Sequence, residues 1–154
     1  MFGKILVPLD GSPVAEQILA LLRGLDEGEH EIHLLRVANA GHHPGMDLAE
    51  MQVNVLKEAE DYLAGVEAQF SKEGIRVESH VRYGQPAEEI LEHIRHWNYD
   101  LIAMTTHGRS GVGRLLMGSV TESVIRRATI PVLVVRAREA QPGEPLQAVG
   151  EDRA

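Results

Sequence analysis

Lys4-Ile5-Leu6-Val7-Pro8-Leu9, followed at once by Asp10-Gly11-Ser12-Pro13, is where the chain declares its architecture. An apolar run without polar alternation reads as a strand covered on both faces, as strands of a parallel sheet are. Asp10 and Gly11 break the run, Ser12 is a helix-capping residue, and Pro13 carries the fixed φ that suits a first helical position. Beyond it Ala15, Ile18, Leu19 and Leu22 recur at helical spacing. The unit is strand, turn, helix.

The same unit repeats outward from there. Gly24 to Gly28 closes the first helix, and Glu31 to Val37 reads as a second strand. Asn39 to Gly45 is a loop by composition. From Asp47 to about Ser71, Leu48, Met51, Val55, Ala59, Tyr62, Val66 and Phe70 mark a long amphipathic helix, stopped by Lys72-Glu73-Gly74. Ile75 to Val81 alternates apolar and polar residues, as an edge strand with one wet face does. Tyr83-Gly84-Gln85-Pro86 then turns into a helix striped by Ala87, Ile90, Leu91, Ile94 and Trp97. Leu101 to Met104 is a fourth strand, Ser119 to about Ala128 a fourth helix, and Ile130 to Val135 a fifth strand. Strands alternating with helices imply right-handed crossovers and an open, doubly wound parallel five-stranded α/β sheet. Residues 1–137 form the domain. Residues 138–154 carry no periodicity and are expected to be a mobile tail.

Composition narrows the functions available. A chain of 154 residues, 44% hydrophobic, can bury one core. It holds no apolar run of about 18 residues and no signal-peptide pattern, so a soluble, cytoplasmic protein is expected, with no membrane partner. Cysteine is absent, which removes disulfides, thiolate metal sites and cysteine nucleophiles. A net charge of −8 opposes nucleic acid as a partner, because phosphate binding needs a Lys/Arg surface.

In open α/β sheets ligands bind beyond the carboxyl ends of the strands, where the strand order reverses. One loop in that position holds Pro8, Asp10 and Ser12; the other runs from Thr105 to Ser119. Gly108, Gly111 and Gly113 let backbone amides approach an anion, Gly118 permits close approach, and Ser119 stands at a helix start with unsatisfied donors. Arg109 and Arg114 add positive charge. Ser119-Val120-Thr121-Glu122 has a second reading, a capping box in which Ser119 and Glu122 bond each other's amides. Asp10 likewise reads either as an Asx turn or as an acceptor for a ribose or base donor. The Walker pattern is missing, no GxGxxG follows the first strand, and no Ser/His/Asp order identifies a hydrolase. Among the eight histidines, His93 and His96 lie three apart on the third helix and His42 and His43 share a loop. No further ligand stands at a recognisable spacing, so they are expected to be solvated rather than metal-binding. His107 falls in the second loop.

Taken in order, Lys4 to Ser12, Gly84-Gln85-Pro86-Ala87, Thr106 to Gly111, Leu115 to Val120 and Pro131 to Val135 resemble the universal stress protein family. The resemblance implies a Rossmann-like domain, akin to the adenine-nucleotide alpha-hydrolases, with strand order 3-2-1-4-5. It also implies a homodimer through the last strand, Ile130 to Val135, and ATP or another adenine nucleotide as cofactor, with Mg2+ carried on the phosphates. The family's binding branch has Gly, two residues, Gly, nine residues, Gly, then Ser or Thr. Gly108, Gly118 and Ser119 match its later part, while Thr105 occupies the first glycine position. By that resemblance Asp10 and Val37 serve the adenosine side, and Gly108, Gly118, Ser119, Val120 and Thr121 the phosphate side. Pro8 and Met104 form apolar walls. The function implied is an ATP-binding stress-response regulator or adaptor with a protein partner, at most a slow ATPase; the alternative is a nucleotide-independent dimeric interaction module.

Overall fold

A computed structural model of the protein describes residues 2–25, 30–39, 41, 45, 47–106 and 117–138. Its elements alternate: β1 (Lys4–Pro8), α1 (Pro13–Leu25), β2 (Glu31–Ala38), α2 (Leu48–Lys72), β3 (Val77–Tyr83), α3 (Pro86–His96), β4 (Leu101–Thr106), α4 (Ser119–Arg127) and β5 (Val132–Arg136). All the strand pairs are parallel, in the order β3-β2-β1-β4-β5. The expected doubly wound sheet and its strand order are therefore what the chain forms.

The unbroken apolar run of β1 has its reason in the two layers that cover it. Ile5 and Val7 face one core with Leu34, Ile18 and Leu22 of α1, and Leu63, Val66 and Phe70 of α2. Leu6 faces the other, with Leu35, Ile102, Met104, Ile90 and Leu91 of α3, and Val124 of α4. Leu6 and Val7 are both fully buried, since successive side chains leave a strand on opposite faces.

Several ends differ from the sequence reading, each for a local reason. β5 starts at Val132 rather than Ile130 because Pro131 has no amide hydrogen; its carbonyl accepts from Ile102, and Ile130 packs into the second core. β3 starts at Val77 because the Ile75 amide is spent closing α2 on the Phe70 carbonyl, with Gly74 at φ +79° making the turn. β4 continues to Thr106 because Thr105 and Thr106 pair with Val135 and Arg136. Arg138, assigned to the tail, is tied to α1: its amide donates to Gln17 Oε1 at 2.8 Å and its carbonyl accepts from Gln17 Nε2 at 3.0 Å. Residues 139–154, the rest of the expected tail, lie outside the described residues. Among the described residues no helix is long and apolar enough to cross a membrane.

Candidate functional site

β1 and β4 are neighbours, yet the chain leaves β1 toward β2 and leaves β4 toward β5, so the strand order reverses between them. In doubly wound sheets such a reversal is where ligands bind, beyond the carboxyl ends of the two strands, here β1 and β4. Pro8 ends β1 half-buried, and the turn after it is tightly bonded. Asp10 Oδ1 accepts from the Ser12 amide at 2.8 Å, and Ser12 Oγ accepts from the Ala15 amide at 3.1 Å. Asp10 is thus an Asx-turn residue and Ser12 caps α1, with Pro13 in its first position. One Asp10 oxygen is committed to the turn; its exposed carboxylate still has acceptor capacity for a ligand.

Arg36, one residue before Val37, is a participant the sequence reading missed. Gly11 holds φ +83°, and a Cβ built there would stand 2.8 Å from Arg36 Nη1, so the guanidinium presses on the turn. Its carbon centre lies 5.4 Å from the Tyr62 ring centroid, and its buried Nε and Nη1 have no hydrogen-bond partner among the described residues. Tyr62 donates to Glu16 Oε1 at 2.8 Å, and burial, then that bond to a carboxylate, push its phenol well above the usual range. The signal for Arg36 was a charge between the apolar pairs Leu34-Leu35 and Val37-Ala38 of the strand.

At β4, Met104 is buried against the second core, and Thr105 turns its hydroxyl to the Ala15 carbonyl of α1 at a long 3.4 Å. The hydroxyl at the first glycine position therefore points to α1. Val37 closes the β2 side, half-buried on the second core.

The start of α4 corrects the capping-box reading. Gly118, not Ser119, is the N-cap, at φ −59° and ψ 146°; its carbonyl accepts from the Glu122 amide at 2.9 Å, and no side chain caps the helix. Ser119 is the first helical residue and is exposed, while the Glu122 carboxylate pairs with Arg126 at 2.8 Å instead of reaching back. Among the described residues no side chain accepts from the amides of the first turn, which with the helix dipole makes an electropositive end. Val120 packs half-buried on the second core and Thr121 is buried. Gly108 and Arg109, with His107, Gly111, Gly113 and Arg114, lie outside the described residues. Pro8, Asp10, Ser12, Val37, Met104, Thr105 and residues 118–121 all fall at the carboxyl edge of the sheet.

Of the histidines expected to be solvated, His42 and His43 lie outside the described residues and His93 departs from expectation. His93 is not solvated: it is 3% exposed, its Nε2 bonds Tyr99 Oη at 3.0 Å, and its ring lies 5.0 Å from that of His80. Burial first, and the neighbouring cationic groups second, pull its pKa down to about 4. Buried His33 belongs to the same cluster; burial lowers both His33 and His80 from the ordinary value. His96 is the exposed helix residue expected, bonded to the Glu92 carbonyl at 2.9 Å. Tyr99 lies six residues from His93, but His33 and His80 are 47 apart on separate strands, so only the fold assembles the cluster.

Comparison with known proteins agrees with the geometry. The family model described as "Universal stress protein family" matches residues 1–136. Universal stress protein MJ0531 of Methanocaldococcus jannaschii is 33% identical over 141 residues, covering 88% of this chain and 83% of that protein. The solved structure of MJ0577 superposes with a TM-score of 0.75 at 29% identity, covering 91% of this chain and 99% of that one. Two more distant neighbours share the fold: a universal stress protein in complex with cAMP (TM-score 0.56, 20% identity, 89% of this chain and 98% of that one) and one from Arabidopsis thaliana with AMP bound (TM-score 0.59, 14% identity, 88% and 92%). Matched along nearly its whole domain and folded in the same strand order, the chain belongs to the universal stress protein family.

Proposed function

We propose that this chain binds an adenine nucleotide, ATP carrying Mg2+ on its phosphates, in the crevice between the β1–α1 turn and the start of α4, and acts as a nucleotide-responsive regulator. The observation that carries this reading is the α4 N-terminus. Gly118 caps it without a side chain, so donors near Ser119, Val120 and Thr121 remain for a phosphate. Asp10 and Val37 flank the adenosine side, Pro8 and Met104 supply apolar surface, and Arg36 beneath Gly11 adds a cation close to the turn. The AMP and cAMP held by two proteins of the same fold support adenine as the base. Binding, with at most slow hydrolysis, is the activity proposed. Occupancy is reported to a protein partner through a homodimer built on β5.

A second reading has one observation in its favour. Thr105 replaces the first motif glycine and spends its hydroxyl on the Ala15 carbonyl, as a fold retained for protein contacts alone would allow. Melting in increasing ATP separates the two. A ligand selective for the native state adds about 2.7 kcal/mol when its free concentration is about 100-fold above Kd. The nucleotide reading predicts a Tm rising by several degrees with ATP and less with GTP; a Tm flat across millimolar ATP would favour the interaction module.

A further inference from the structure

At the other end of the sheet, near the amino ends of the strands, His33 of β2 and His80 of β3 meet under the end of α3. Glu78 is the register partner of His33, and His80 follows two residues on, so both project on the face that carries His33. Nδ1 of His33 and Nε2 of His80 are 3.0 Å apart. Glu78 Oε2 lies 3.7 Å from the first nitrogen and Glu78 Oε1 3.5 Å from the second. Four-coordinate zinc with bonds of about 2.0–2.1 Å has ligand atoms about 3.3 Å apart, the edge of the tetrahedron. The nitrogen pair and each nitrogen's distance to a Glu78 oxygen straddle that edge, and ligand atoms taken one from each residue all lie within 4.8 Å of one another.

We propose that His33, His80 and Glu78 form a binding site for a first-row divalent transition ion of the zinc type, with a fourth position open to water. The donor set, two imidazoles and a carboxylate, suits such an ion and not Mg2+, which takes oxygen ligands. The imidazole rings lie nearly coplanar, 9° apart with centroids 5.3 Å apart, so one N–H···N proton bridges them. The ion takes the place of that proton, which moves to the far nitrogen of the ring that held it. Each ring turns about its Cβ–Cγ bond to aim its lone pair off the shared axis, toward the Glu78 side. If His33 held the proton, its Nε2 then carries it toward Glu31, whose carboxylate is 3.7 Å away and supplies the outer partner that metal-binding histidines commonly have.

Burial and charge are compatible with this use. The His33 side chain is only 4% exposed and that of His80 15%, while Glu78 is 62% exposed and free to swing onto an ion. The ring of Tyr99 packs edge-on against His33, its centroid 5.3 Å away. Lys4 Nζ stands over Tyr99 and Trp97 at 5.2 and 5.5 Å, a cation opposed by the Glu31 and Glu78 carboxylates. Bound metal would clamp β2 to the edge strand β3. The site shares no residue with the nucleotide crevice, so its test is made without nucleotide.

The full chain, untagged and freed of metal by a chelator, is titrated calorimetrically with ZnCl2, with MgCl2 as comparison. One Zn2+ per chain with a raised Tm is expected, no response to Mg2+, and a four-coordinate visible spectrum when Co2+ replaces Zn2+. His80→Gln should abolish the Zn2+ response and Glu78→Gln weaken it about tenfold or more, while His96→Gln leaves it unchanged. Circular dichroism and melting of each metal-free variant verify folding. No Zn2+ binding by the parent, or the same affinity in folded His80→Gln and Glu78→Gln, would overturn the proposal and assign any bound zinc to other histidines.

Discussion

At Gly11 the backbone has φ +83°, and an added Cβ would stand 2.8 Å from Arg36 Nη1. Gly11→Ala should cost about 1–2 kcal/mol from the left-handed conformation alone, with more from displacing Arg36. A urea midpoint unchanged from the parent would contradict that assignment. Single residues were also where the sequence was hardest to read. Gly118 and Ser119 are both good N-caps, and a one-residue choice between them decides whether Ser119 bonds the helix or faces the crevice. Arg36 was visible as a misplaced charge, but what it touches depends on Gly11 and Tyr62, which come from other elements. His33, His80 and His93 lie in three separate segments, and no local spacing announces their contact.

Elements were far more legible, because strand and helix periodicities are local and the apolar residues obey them. Ile5-Leu6-Val7 is covered on both faces as its unbroken pattern requires; Val77 to Tyr83 is an edge strand as expected, but His80 is largely covered on the face its alternation left to water. Strand ends were less so, since Pro131 and Gly74 shift the ladders by two residues for reasons of hydrogen-bond supply. α2 depends on its buried stripe: Phe70 is fully buried, with the Arg23 guanidinium 4.4 Å from its ring centroid. Phe70→Ala should cost about 3–5 kcal/mol in chemical unfolding, and a loss below about 1 kcal/mol would mean α2 is not anchored there. At the opposite edge, β5 is a short strand, Val132 to Arg136, apolar up to Val135, with one side unpaired in the sheet. Open edges are resolved by pairing or protection. Sedimentation should give a dimer of twice the 17.0 kDa chain; a monomer at all concentrations would reject pairing through β5.

On the scale of the whole molecule, one parallel sheet carries two chemically distinct ends. Turns and a helix start gather at the carboxyl ends of β1 and β4, and a buried imidazole cluster sits toward the amino ends of β2 and β3. The first end was legible because doubly wound sheets place ligands at the reversal of strand order; the second obeys no such rule. The central claim concerns the first end, and Gly118 is its narrowest point. Calorimetric titration of ATP with Mg2+ onto the parent and onto Gly118→Val tests it directly. The account predicts saturable one-to-one binding by the parent and a loss of about tenfold or more in a folded Gly118→Val, whose side chain crowds the phosphate donors. No heat of binding in the parent, or equal affinity in the two proteins, would contradict it.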